Sequence, residues 1–137
     1  MKTVFSDKTL LKLKEKAIEA SKKAYCKYSN LHVGAAILHN DGSISSGCNV
    51  ENASYGLTIC AERVAVFQAV LRENTEFNTI VIYTPTKEPI PPCGACRQVL
   101  SEFGNELKIF SFCDSEEFIE TNLKTLFPQS EIILPDK

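Results

Sequence analysis

The chain has 137 residues, 44% hydrophobic and 23% charged, an ordinary globular composition that suffices for one domain across residues 1–137. Its net charge of -2 provides no basic field, which leaves no ground for a nucleic-acid partner. No apolar run approaches the ~18 residues of a membrane span and the stretch Met1–Asp7 has no apolar signal core, so a cytoplasmic location with reduced thiols and no membrane partner is expected.

Residues 7–26 read as an amphipathic helix with Asp7 as N-cap. Leu10, Leu11, Ala17, Ile18, Ala24 and Tyr25 recur at helical spacing, and lysines occupy the opposite face. Residues 31–39 and 43–48 read as a hairpin closed at Asn40-Asp41-Gly42. The first of these strands is apolar along Val33–Leu38, so cover on both faces is expected. Gly34 within it implies close approach by a ligand or by another backbone. Residues 49–59 form a loop rich in Asn, Ser, Thr and Gly, long enough to carry function. A second helix is expected from about Cys60 to Arg72. It has almost no polar face, so it needs cover on the side away from a sheet, and a partner subunit is the economical cover. Ile80-Val81-Ile82-Tyr83 marks a buried strand within 77–83, and Pro85, Pro89, Pro91 and Pro92 stiffen the loop that follows. A third helix from about Cys93 to Phe103, with Gly104 as its C-cap, leads to a strand at 107–113 and completes a βαβ unit. Residues 115–134 read as a tail: a short helix around Leu123–Leu126, a break at Pro128, then Ile132-Ile133-Leu134. This order predicts an α/β fold with three α/β/α layers and a central mixed β-sheet.

Six cysteines in a reducing compartment point to metal binding or catalysis before disulfides. Cys26, Cys48 and Cys113 stand alone among apolar neighbours and read as small buried residues. The other three lie where a loop becomes a helix, in Cys60-Ala61-Glu62-Arg63 and in Pro92-Cys93-Gly94-Ala95-Cys96-Arg97. The helix dipole there favours a negative sulfur. Cys93-x-x-Cys96 alone fits a redox dithiol, half a zinc knuckle or neither. With Cys60 it gives three thiolates from two helix starts and one open position, the pattern of a catalytic rather than a structural zinc site. Three thiolates outweigh the charge of Zn²⁺ and oppose ionisation of water at the metal. The two helix dipoles and Arg63 are placed to offset this. Arg97, beside Cys96, is a second candidate, and a surface arginine is the alternative for both. Glu62 is close enough to exchange protons at the metal without ligating it. A glutamate that only stabilises the helix N-terminus is the alternative. His32 and His39 read as surface or strand histidines, not ligands.

The stretches Asn49-Val50-Glu51-Asn52-Ala53-Ser54-Tyr55-Gly56-Leu57-Thr58-x-Cys60-Ala61-Glu62-Arg63 and Pro92-Cys93-Gly94-Ala95-Cys96-Arg97-Gln98 resemble those of the homotetrameric, three-cysteine cytidine deaminases. Tyr28-Ser29-x-x-x-Val33-Gly34-Ala35-Ala36 extends the likeness, which covers roughly residues 7–127. The resemblance implies zinc held by Cys60, Cys93 and Cys96, with Glu62 as proton shuttle. It implies that Asn49 and Glu51 hold the ribose hydroxyls, that the backbone around Ala61 reads the base edge, and that Leu31 flanks the nucleoside. It also implies a homotetramer with shared sites, in which Ala53 and Tyr55 complete the site of an adjoining subunit. The expected activity is hydrolytic deamination of cytidine or deoxycytidine. The family generally carries Phe where Leu31 stands, and an aromatic after a C-terminal Leu-Leu-Pro-like turn where this chain has Gln129. Those two changes raise a second reading, a modified cytosine nucleoside or a cytosine-containing antibiotic as substrate. A structural zinc module and a Cys93/Cys96 redox pair are the readings from other classes.

Overall fold

The computed structural model describes residues 7–132 and 134–135. Asp7 caps helix α1 (Lys8–Ser21), its carboxylate accepting the Thr9 N–H at 2.9 Å. Leu10, Leu13, Ala17 and Ala20 form its buried stripe. The helix stops five residues short of the expected end at 26. Ser21 turns its hydroxyl back onto the Ile18 carbonyl at 2.6 Å, an interaction that competes with helix continuation. Tyr25 then leaves the helical path to bridge Val50, exchanging backbone hydrogen bonds with Asn49 and Glu51.

Strands β1 (Gly34–His39) and β2 (Ile44–Cys48) form the expected antiparallel hairpin, with Gly42 in the left-handed region at φ 88. Strand β3 (Phe77–Tyr83) lies antiparallel to β1, and β4 (Lys108–Phe112) lies parallel to β3. The expected tail begins instead with a fifth strand, β5 (Phe118–Asn122), antiparallel to β4 at the sheet edge. The sheet order is β2-β1-β3-β4-β5, so the central sheet is mixed, as the element order implied.

Helices cover both faces. On one, Leu10, Leu13 and Ala17 of α1 pack over Ala36, Val81, Phe110 and Phe112. On the other, helices α2 (Ala61–Leu71) and α3 (Gly94–Ser101) cover Ala35, Ile37, Ile80, Ile82 and Ile109, joined by Leu123 of the short helix α4 (Leu123–Leu126). These clusters account for the unbroken apolar runs of β1 and β3: residues on each face meet a helix. Gly34 meets a backbone rather than a ligand, since a Cβ there would lie 1.8 Å from the Ala17 carbonyl oxygen of α1. Gly47 plays the same part for α2, where a Cβ would lie 2.4 Å from the Ala65 nitrogen. One glycine on each face thus brings a helix close to the hairpin.

Cys26 and Cys113 are buried and Cys48 is half-buried. The apolar end at 132–134 falls partly outside the described residues; Ile132 and Leu134 are exposed, and Ile133 is not described. No helix among the described residues is long and apolar enough to cross a membrane.

Candidate metal centre and active site

The register places Gly34, Cys48, Tyr83 and Phe112 at one end of the sheet. That end collects the carboxyl termini of β2, β3 and β4. The loops leaving β2 and β3 return there to start α2 and α3. Cys60 is the N-cap residue of α2 and Cys93 that of α3, both with extended backbone and neither bonding its own helix through the side chain. Their sulfurs are therefore free for other partners, and each sits at the positive end of a helix dipole.

Three sulfurs converge there. Sγ of Cys60 and Sγ of Cys93 are 3.8 Å apart, and with Sγ of Cys96 all three lie within 4.8 Å of one another. Tetrahedral ligation with Zn–S of about 2.3 Å sets ligand sulfurs about 3.8 Å apart. The donor set is soft thiolate, which suits zinc. Cys60, Cys93 and Cys96 are the one such cluster among the described residues, and no histidine joins it. His39 is buried with Nε2 2.6 Å from Ser45 Oγ, and His32 Nδ1 lies 3.3 Å from the Ser21 carbonyl oxygen.

The charges around the cluster are set by contact. A hydrogen bond from Cys96, helped by Arg63 and Cys93, lowers the Cys60 thiol to about 5. Cys96 is pushed up, because its proton bonds the Cys60 sulfur and because it is buried beside Glu62. A metal entering this set takes the place of the thiol protons. Arg63 places a guanidinium nitrogen 3.5 Å from Cys60 Sγ and 3.5 Å from the Thr58 carbonyl oxygen. Arg97 turns elsewhere. Its Nε–H donates to the Pro92 carbonyl at 2.9 Å and a second nitrogen to the Leu126 carbonyl at 3.1 Å. It ties the loop before α3 to α4, and no sulfur is among its hydrogen-bond partners.

Glu62, on the first turn of α2, is 5% exposed. Burial raises its carboxyl above the usual range, and the Cys96 thiol only partly offsets this. A carboxyl so placed holds a proton readily and gives it up to a nearby base.

The cluster opens onto a cavity of about 270 Å³. Cys60, Ala61, Glu62 and Cys93 form its floor, and Leu31, Val33, Ile82, Ile90 and Pro91 supply apolar walls. Asn49 and Glu51 line its polar side. Asn49 is buried; its Oδ1 accepts the Val33 N–H at 2.9 Å and its Nδ2 donates to the Leu31 carbonyl at 2.8 Å. Glu51 accepts the N–H groups of Tyr28 and Ser29 at 3.0 and 3.1 Å, and the Ser29 hydroxyl. Ala53 and Tyr55 are exposed and lie outside this cavity; Tyr55 is 77% exposed and edge-on to Tyr28. A larger cleft of about 490 Å³ at Gln98, Ser101 and Glu131 has no thiol in its wall. Sequence reasoning missed Ser29, Val33, Thr58, Ile82, Thr84, Ile90 and Pro91 as lining residues. Ser29 and Thr58 lay inside the stretches that carry the resemblance, while nothing local marks Ile90 or Thr84.

Residues 7–112 match the model of the cytidine and deoxycytidylate deaminase zinc-binding region. A cytidine deaminase of Halalkalibacterium halodurans is 52% identical over 88 residues, covering 64% of this chain and 67% of that protein. One of Sporosarcina psychrophila is 43% identical over 119 residues, covering 83% and 88%. The crystal structure of cytidine deaminase from Burkholderia pseudomallei superposes with a TM-score of 0.83 at 45% identity, covering 87% of this chain and 96% of the other. The two cysteine segments, the fold that joins them and these matches lead to one conclusion: the chain belongs to the zinc-binding cytidine and deoxycytidylate deaminase family.

Proposed function

We propose that the protein, as one domain across residues 1–137, catalyses hydrolytic deamination of cytidine or deoxycytidine to the uridine product and ammonia. One observation carries the reading: Cys60 and Cys93 of the three-sulfur cluster line the same cavity as the buried Glu62, and Asn49 and Glu51 line it too. Cys60, Cys93 and Cys96 would hold zinc, which when bound would supply Lewis acidity at the reacting water. Glu62 takes the proton released from water on its carboxylate. It passes that proton to the ring nitrogen as the water oxygen bonds the amine-bearing ring carbon, and then carries the second water proton to the amine, whose bond to that carbon breaks to release ammonia. The backbone at Ala61 meets the edge of the base. Leu31, Val33 and Ile90 enclose its faces and exclude water. Asn49 and Glu51 hold the sugar and so fix the base over Glu62. Arg63 draws charge from the Cys60 sulfur and so favours ionisation of the reacting water.

The same reading includes a homotetramer in a cytoplasmic, reducing setting. Helix α2 has one side on the sheet, while Phe67, Val70 and Leu71 on the other are 50, 49 and 84% exposed. A second copy covers that face. The exposed Ala53 and Tyr55 then complete a neighbour's site instead of their own. A modified cytosine or an antibiotic is not favoured as substrate, because relatives at 43 and 52% identity are cytidine deaminases.

The direct test follows ultraviolet absorbance of cytidine mixed with the purified protein. Absorbance falls as the uridine product forms. A zinc chelator abolishes the change, and added zinc restores it. Steady absorbance in the zinc-loaded protein would sink the proposal.

A further inference from the structure

Glu51 is held by more donors than its place in the cavity wall requires. A carboxylate has about four lone-pair sites. Oε1 accepts two N–H groups, from Tyr28 at 3.0 Å and Ser29 at 3.1 Å. Oε2 accepts the Ser29 hydroxyl. One site on Oε2 is left. The donors, the Ser29 hydroxyl first, also hold the carboxyl below its usual range, so it stays ionised. Ser29 itself is committed. Its proton goes to Glu51, and its Oγ accepts the Leu31 N–H at 3.0 Å. It therefore lines the cavity without a proton to offer a ligand.

We infer that Ser29 is a positioning residue, whose hydroxyl fixes the Glu51 carboxylate so that a single acceptor site is left for one sugar hydroxyl. The inference rests on the reading of Glu51 as the sugar-holding residue. Ser29 also links that acceptor to the backbone of Leu31, a wall of the base site, so sugar and base are registered against one rigid loop. Without the hydroxyl, Glu51 keeps its two N–H donors on Oε1 and Oε2 is free to swing. The grip on the sugar is made in the ground state and the transition state alike, so its loss is read in KM.

The experiment compares the zinc-loaded wild type, Ser29→Ala and Ser29→Thr on cytidine and on 2′,3′-dideoxycytidine, which lacks the 2′ and 3′ hydroxyls of the sugar ring and keeps the 5′ hydroxyl. Expected for Ser29→Ala is a KM for cytidine about ten- to a hundredfold higher, with kcat within about threefold. On the dideoxy substrate the same variant and the wild type agree within about threefold, because a bond from a 2′ or 3′ hydroxyl to Glu51 cannot form. Ser29→Thr keeps an O–H and restores the cytidine KM. Equal losses on both nucleosides, or no loss on either, overturn the inference while leaving Glu51 in its role. A wild type that does not distinguish the two nucleosides overturns the sugar role of Glu51, and this inference with it.

Discussion

Replacing Glu62 with glutamine is expected to lower kcat on cytidine roughly 10²–10⁴-fold, the range that a positioned general acid–base contributes. Bound zinc stays near one ion per chain, because Glu62 is not among the three clustered sulfur ligands. The substitution is isosteric and keeps hydrogen bonding, so only proton exchange is removed. Folding does not suffer. Glu62 is 5% exposed, and burial already disfavours its charged form, so a neutral amide there removes a desolvation cost. Turnover and metal content are measured on the same preparation, with thermal unfolding as the control. A Glu62→Gln protein that keeps full turnover excludes the shuttle. One that loses turnover together with zinc assigns Glu62 to the metal instead.

Replacing Cys96 with alanine acts at the other half of the site. Cys96 is fully buried, and its sulfur lies within 4.8 Å of those of Cys60 and Cys93. Removing it leaves two ligands, so zinc retained after dialysis falls from about one ion to under about a tenth per chain, and activity falls at least ~10³-fold. In the wild type, zinc also raises the melting temperature, because it binds the folded chain in preference to the unfolded one. The variant loses that rise. Its own fold persists, since only a sulfur is lost from a core otherwise made by the two apolar clusters on either face of the sheet. A Cys96→Ala protein with full zinc would remove that residue from the ligand set.

The parts of the fold and site that the sequence made legible depend on local chemistry. Asp7 announces α1, Asp41-Gly42 the hairpin, and Ile80-Val81-Ile82-Tyr83 the buried strand β3. Cys60 and Cys93 were legible as helix starts because each stands where a turn-rich or proline-rich loop meets an apolar run. What escaped depends on distant partners. The apolar period of α1 runs on through Ala24 and Tyr25, yet Val50, far along the chain, takes Tyr25 into a bridge. Strand β5 is the sequence Phe-Ile-Glu-Thr-Asn, without an apolar run, and only its register with β4 makes it a strand. Arg97 looked poised for the sulfurs beside it, but Leu126, 29 residues on, offers its guanidinium a carbonyl. The part played by Ser29 was invisible for the same reason, since the carboxylate it holds is 22 residues away.

X-ray absorption at the zinc edge, on the purified protein, addresses the metal centre most directly. Expected are three sulfur neighbours at about 2.3 Å and one lighter atom at about 2.0 Å, exchangeable with solvent. Four sulfur neighbours, or a zinc with no sulfur at all, would contradict an open three-cysteine site beside Glu62.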